Sequence, residues 1–196
     1  MSVEYKIITN PHNPLCGKTY EEVVAAISRN WQFLTFVHNQ TEEICKTAVE
    51  ADADALVFVK HQTPEICLEA VKKNGNALRY VKDQTLEICL AAVKKWGYAL
   101  QYVKDQTPEI CLEAVKQDGR ALKYVKDQTP EICKTAVEQD EDSLIYVKDQ
   151  TVELCLIALK QGDHSLGYVR DEHLDAVNAA LNIELREILM TLPKRF

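Results

Sequence analysis

The stretch Ala77-Leu78-Arg79-Tyr80-Val81-Lys82-Asp83-Gln84-Thr85-Leu86-Glu87-Ile88-Cys89-Leu90-Ala91-Ala92-Val93-Lys94-Lys95 decides the fold, because the chain repeats it almost word for word at 99–117 and 121–139. Working outward, Cys45, Cys67, Cys89, Cys111, Cys133 and Cys155 fall at intervals of 22 residues, and Thr41, Thr63, Thr85, Thr107, Thr129 and Thr151 keep the same beat. A unit this short cannot bury its own apolar face, so it needs stacked neighbours. Eight units fill residues 19–194, starting at Thr19, the six threonines above, and His173 in place of a threonine. The prediction is one all-α solenoid domain of two-helix repeats, with the first and last units as caps. Residues 1–18, where Val3, Tyr5 and Ile7 alternate before Asn10-Pro11-His12-Asn13-Pro14, read as an irregular lead covering the first repeat.

Within the third unit, Thr63 suits a helix N-cap, Pro64 the first helical position and Glu65 the positive end of the helix dipole. Ile66, Cys67, Ala70 and Val71 make one buried stripe at helical spacing. Gly75, Gly97 and Gly119 are placed where a helix C-terminus wants a left-handed residue. A second helix of about two turns, Ala77–Lys82, is short enough to be partly 3₁₀. Leu34, Leu56, Leu78, Leu100, Leu122, Leu144 and Leu166 are expected to stack as its inner ladder, each with an aromatic two residues later, from Phe36 to Tyr168.

Packed helices lie about 8–10 Å apart. A disulfide needs Cα atoms within about 7 Å, and zinc needs sulfurs at about 2.3 Å from one ion, so a cysteine ladder at repeat spacing serves neither. The six thiols are read as small buried hydrophobes, Val23 and Val177 taking their place in the end units. Unpaired thiols point to a reducing, cytoplasmic setting, and Cys16, outside the ladder, is the thiol expected to be exposed. The acidic row from Glu21 to Asp175 is explained by the first helical turn, and Lys60, Lys82, Lys104, Lys126, Lys148 and Arg170 by the opposite pole of the second helix. The glutamines Gln40, Gln62, Gln84, Gln106, Gln128 and Gln150 are expected to bridge turns, with partners unassigned.

The five histidines fall at unrelated points of the repeat, and no phosphate loop, HExxH or nucleophile elbow appears. No catalytic residue, metal site or cofactor is predicted. The net charge of −7 argues against direct nucleic-acid binding, and no apolar run approaches a membrane span. The oligomeric state is left open.

The wording of residues 77–95 resembles an uncharacterised short-repeat family, a domain of unknown function met in large DNA viruses of protists and in some bacteria. The likeness covers roughly residues 33–172 and weakens in the first unit, at Glu22 and Trp31-Gln32-Phe33, and in the last. More loosely, the Thr-Pro-Glu helix start is similar to that of leucine-rich variant repeats, which build an α/3₁₀ superhelix. Their iron–sulfur cysteine motif has no counterpart here. The resemblance implies a solenoid, and with it a viral or cellular setting, but no activity.

Binding is therefore sought where the repeats differ. The loop between the two helices carries Asp52 and Asp54, then Asn74 and Asn76, Asp118 and Arg120, and Asp140, Glu141 and Asp142 in successive units, but Trp96 and Tyr98 in the fourth. Trp and Tyr dominate interface hot spots, so the pair, ringed in repeat order by Asp52, Asp54, Asp118, Asp140, Glu141 and Asp142, is the expected partner site. Trp96 folding back over a neighbouring helix is the competing reading. A second stripe, Leu68, Leu90 and Leu112, is either a helix flank packed on the next repeat or an apolar groove for a partner helix. The sequence thus predicts a non-enzymatic protein-binding module, in its specific form an inhibitor or immunity-type protein occluding a basic partner. A structural or assembly scaffold is the alternative, and an enzyme with a dispersed site the third.

Overall fold

The computed structural model describes residues 12–191, with side chains omitted at 163 and 183–191. Among the described residues seven α-helices alternate with seven 3₁₀ helices, and an eighth α-helix follows. In order these are α1 (Tyr20–Arg29), η1 (Trp31–Phe36), α2 (Glu42–Ala51), η2 (Ala53–Phe58), α3 (Pro64–Lys73), η3 (Gly75–Tyr80), α4 (Leu86–Lys95), η4 (Gly97–Tyr102), α5 (Pro108–Gln117), η5 (Gly119–Tyr124), α6 (Pro130–Gln139), η6 (Glu141–Tyr146), α7 (Val152–Leu159), η7 (Asp163–Tyr168) and α8 (Asp171–Thr191). No strand occurs among the described residues. The chain forms two compact units, Met1–Asp105 and Gln106–Phe196. In the first, α1 to α4 pack side by side, as do η1 to η4; in the second, α5 to α8 and η5 to η7 do the same. Helical pairs repeating in register and packing neighbour on neighbour are an all-α solenoid.

The caps follow from residue chemistry. Thr63 Oγ1 accepts the Ile66 amide at 3.4 Å, and the same bond recurs at Thr41, Thr85, Thr107, Thr129 and Thr151. At the other end Asn74 is extended (φ −144°, ψ 112°), donates its amide to Ala70 O at 2.9 Å, and accepts the Asn76 amide on Oδ1 at 3.1 Å. One residue thereby closes the α-helix and opens the 3₁₀ helix. The second helix begins at Gly75, two residues before the sequence placed it, and is 3₁₀ throughout. Gly75, Gly97 and Gly119 are not left-handed: among the described residues only Gly17 has positive φ. Close approach is what Gly75 answers, since a Cβ there would lie 2.6 Å from the Ala92 carbonyl of the next repeat.

The core is the predicted stripe, repeated. Ile66, Cys67, Ala70 and Val71 from α3 meet Ala77, Leu78 and Val81, all at most 3 % exposed. Each such Ile or Leu contributes about 1.5–3 kcal/mol. The leucine ladder is fully buried from Leu34 to Leu144, but Leu166 is 44 % exposed, contrary to expectation. The eighth repeat explains this: α8 runs on unbroken where a 3₁₀ helix would have stacked on η7. Its sequence has Glu184 and Leu185 at the cap and glycine positions, residue types that continue a helix.

The glutamines link the repeats. Gln84 Nε2 donates to Tyr102 O at 2.9 Å, while its Oε1 accepts the Lys104 amide at 3.0 Å. Gln40 and Gln62 do the same toward Phe58 and Lys60, and Tyr80 and Lys82. In the second unit Gln106, Gln128 and Gln150 repeat the pattern on Tyr124 and Lys126, Tyr146 and Lys148, and Tyr168 and Arg170. The basic row caps the preceding repeat instead of its own helix: Lys82 Nζ donates to Lys60 O at 2.9 Å, and Arg170 to Lys148 O at 2.7 Å. At the N-terminal end, buried Asn13 donates to Phe36 O and Leu15 is buried. The alternation at Val3, Tyr5 and Ile7 lies outside the described residues.

Candidate functional site

The loop edge predicted to bind a partner is built on the cap residues. Asp52 Oδ1 accepts the Asp54 amide at 2.9 Å, Asp118 that of Arg120 at 3.0 Å, and Asp140 that of Asp142 at 3.0 Å. Three of the six predicted carboxylates are thus N-caps of 3₁₀ helices. The others are paired. Asp54 meets Arg79 at 2.9 Å. Arg120 bridges Asp140 at 2.8 Å and Asp142 at 2.5 Å, and His164 Nε2 lies 3.4 Å from Glu141 and 3.3 Å from Asp142. Such exposed pairs add roughly 0–1 kcal/mol each, but the two arginines offset part of the charge that a basic partner would otherwise meet.

Trp96 stands where five of the other six 3₁₀ helices have a side-chain cap, the sixth starting at Gly162. Its backbone is like theirs, extended at φ −158° and ψ 110°, with its amide on Ala92 O at 2.9 Å, but its side chain makes no cap. Trp96 and Tyr98 are both half-buried, with ring centroids 5.6 Å apart and planes inclined at 42°. The structure thus brings the two predicted aromatics together. Asp52 and Asp54 share their unit but stand two repeats away, roughly 16–20 Å at the usual helix spacing and beyond a screening length of about 8 Å. Asp118, Asp140, Glu141 and Asp142 belong to the other unit.

What the sequence reading passed over at this edge is basic. Lys72 and Lys73 end α3, Lys94 and Lys95 end α4, and all four are exposed. A Cβ on Gly75 would lie 3.0 Å from Trp96 Cβ, so the C-terminal ends of α3 and α4 meet at the tryptophan. The doubled lysines were the signal available in the sequence.

Leu68 and Leu90 in the first unit and Leu112 in the second are half-buried on their helix flanks. Lys46 replaces leucine at this position in α2 and pairs with Glu42 at 2.6 Å. Between α6 and α7 lies a cleft of about 530 Å³, lined by Pro130, Cys133, Lys134, Glu131, Glu153 and Leu154. Its counterpart between α3 and α4, at Cys67 and Ile88, is about 110 Å³.

The six ladder cysteines are buried and unpaired, and Cys16 is exposed. Burial raises all six thiol pKa values, that of Cys45 to about 11 with help from Glu42. Each sulfur lies 3.6–3.9 Å from the ladder glutamine that ends the preceding repeat, as in Cys133 to Gln128 and Cys155 to Gln150. These are protonated packing groups that donate weakly. Among the described residues no three His, Cys, Asp or Glu side chains cluster as metal ligands, and no helix is long and apolar enough to cross a membrane.

The chain belongs to the family described as a domain of unknown function (DUF4116), whose pattern matches residues 41–85, 63–106, 85–129 and 107–151 in overlapping windows, more than half of the sequence. No curated protein and no solved structure matches it.

Proposed function

We propose that the chain is a non-enzymatic protein-binding module that takes its partner at the Trp96–Tyr98 edge. The broken cap series supports this reading. Asn30, Asp52, Asn74, Asp118 and Asp140 each accept a 3₁₀ amide and Gly162 has no side chain to do so, whereas Trp96 gives up that bond and leaves an indole partly in water. A lost cap costs about 0.5–2 kcal/mol. The compensating contact is one made with a partner, where Trp and Tyr contribute most. An inhibitor or immunity-type role, covering the partner's own ligand surface, is the specific form of the proposal, set in a reducing cytoplasm that keeps the buried thiols free. Kinship with leucine-rich variant repeats belongs to it too, supported by the alternation of α and 3₁₀ helices; a viral setting rests on the wording of the repeat alone.

Affinity capture from the source cell with the natural chain and with the Trp96→Asn, Tyr98→Asn variant tests this. One stoichiometric protein held by the natural chain and lost by the variant is expected. A co-sedimenting particle or filament would favour a scaffold, and turnover without a partner an enzyme.

A further inference from the structure

We infer that the Trp96–Tyr98 edge selects an acidic peptide segment of its partner, the opposite of what the chain's net charge of −7 suggests. The inference rests on the protein-binding reading above and adds the chemistry of the bound segment. Specificity follows the local potential, which falls off within about 8 Å at physiological salt. Within the first unit, Lys72, Lys94 and Lys95 end α3 and α4, whose C-terminal ends meet where Gly75 approaches Trp96 Cβ, while Lys73 Nζ turns away to the Glu50 carbonyl of the preceding repeat. The two loop positions between them, Asn74 and Asn76, are neutral. Arg79 and Asp54 cancel at 2.9 Å.

Lys73 has a structural role, donating to the Glu50 carbonyl in the last turn of α2. The helices α2 and α6 have no basic residue in their own last turn and form at full length, so the fold does not require the other lysines there. An aromatic anchor within a cluster of ammonium groups is complementary to an apolar residue flanked by Asp or Glu. A nucleic-acid strand fits less well: the cluster spans two repeats, and the preceding one presents Glu50, Asp52 and Asp54 at the same edge. A polyphosphate would run onto those carboxylates, whereas a short acidic segment ends before them.

The test is a selection of random dodecapeptides on the immobilised full chain, counter-selected on the Trp96→Asn, Tyr98→Asn variant, with circular dichroism confirming that the variant is folded. Net-acidic peptides bearing an aromatic or aliphatic residue should be enriched and lost on the variant. A synthetic consensus should bind about tenfold tighter than the same peptide with Lys in place of each Asp and Glu, a difference of about 1.4 kcal/mol. Lys72→Glu with Lys95→Glu should remove that preference. Enriched peptides that are basic and still depend on Trp96 would overturn this inference and leave the aromatic anchor standing. Enrichment indifferent to the double variant, or none at all, would overturn the anchor itself. A twenty-residue oligothymidylate that binds more tightly than the acidic consensus would replace the peptide with single-stranded nucleic acid.

Discussion

Replacing Gln150 with leucine should destabilise the second unit by about 2–4 kcal/mol, because three backbone groups lose their partner at once. Gln150 is 7 % exposed, the most buried of the ladder glutamines. Its Nε2 donates to Leu144 O at 3.1 Å and Tyr168 O at 2.9 Å, and its Oε1 accepts the Arg170 amide at 3.0 Å. Leucine is close in volume, so the cavity term is small and the loss is polar, about 0.5–1.5 kcal/mol for each bond. Gln84→Leu should cost only about 1–2 kcal/mol, since its site is half-buried and water can reach the Lys104 amide. Gln150→Glu sharpens the test, for at neutral pH its carboxylate would face two carbonyl oxygens. That raises the folded-state pKa of the glutamate, so stability should return as pH falls through that value and the acid becomes a donor. Urea unfolding gives the totals, and native-state hydrogen exchange at the Arg170 amide reports the link itself. A loss below about 0.5 kcal/mol for Gln150→Leu, with Arg170 protection unchanged, would refute the glutamine as the tie between repeats.

Thiol labelling of the folded chain should modify Cys16 first and the ladder only on unfolding; fast labelling of several ladder thiols would contradict their burial. The raised thiol pKa values mean that the unfolded chain releases these protons first, so stability is intact below the ordinary thiol value of 9.0 and falls as pH rises above it. A melting temperature flat from pH 8 to about 11 would argue against this. Cys111→Val should shift stability by less than about 1 kcal/mol, whereas Ala114→Leu, at a fully buried contact, should cost about 1–3 kcal/mol, both read from urea midpoints. Trp96→Asn should leave the unfolding free energy unchanged or raise it, because asparagine restores the missing 3₁₀ cap; a fall of about 2 kcal/mol or more at the urea midpoint would show that the indole is core packing.

Local chemistry was legible in the sequence and distant pairing was not. Thr63, Pro64 and the stripe from Ile66 to Val71 act within one helix turn, and their roles follow from residue type and spacing alone. Gln84 could be singled out but not explained, since its partners Tyr102 and Lys104 lie 18 and 20 residues on, in the next repeat. Gly75 was assigned the wrong reason because a glycine after a helix usually reports dihedral freedom, while here it reports a neighbour's carbonyl. The same holds at the candidate site. Counting Asp54, Asp140 and Asp142 by repeat position gave an acidic ring; Arg79 and Arg120, which offset part of it, come from adjacent repeats. Leu166 looked like its six counterparts until the eighth repeat failed to supply a 3₁₀ helix to cover it.

The affinity of the captured partner for the natural chain and for the Trp96→Asn, Tyr98→Asn variant, measured beside the melting temperature of each, tests the central claim most directly. Binding should weaken about thirtyfold, the 2 kcal/mol scale of a hot spot, with melting unchanged. Equal affinities would contradict it, and so would a loss of binding that appears only together with unfolding.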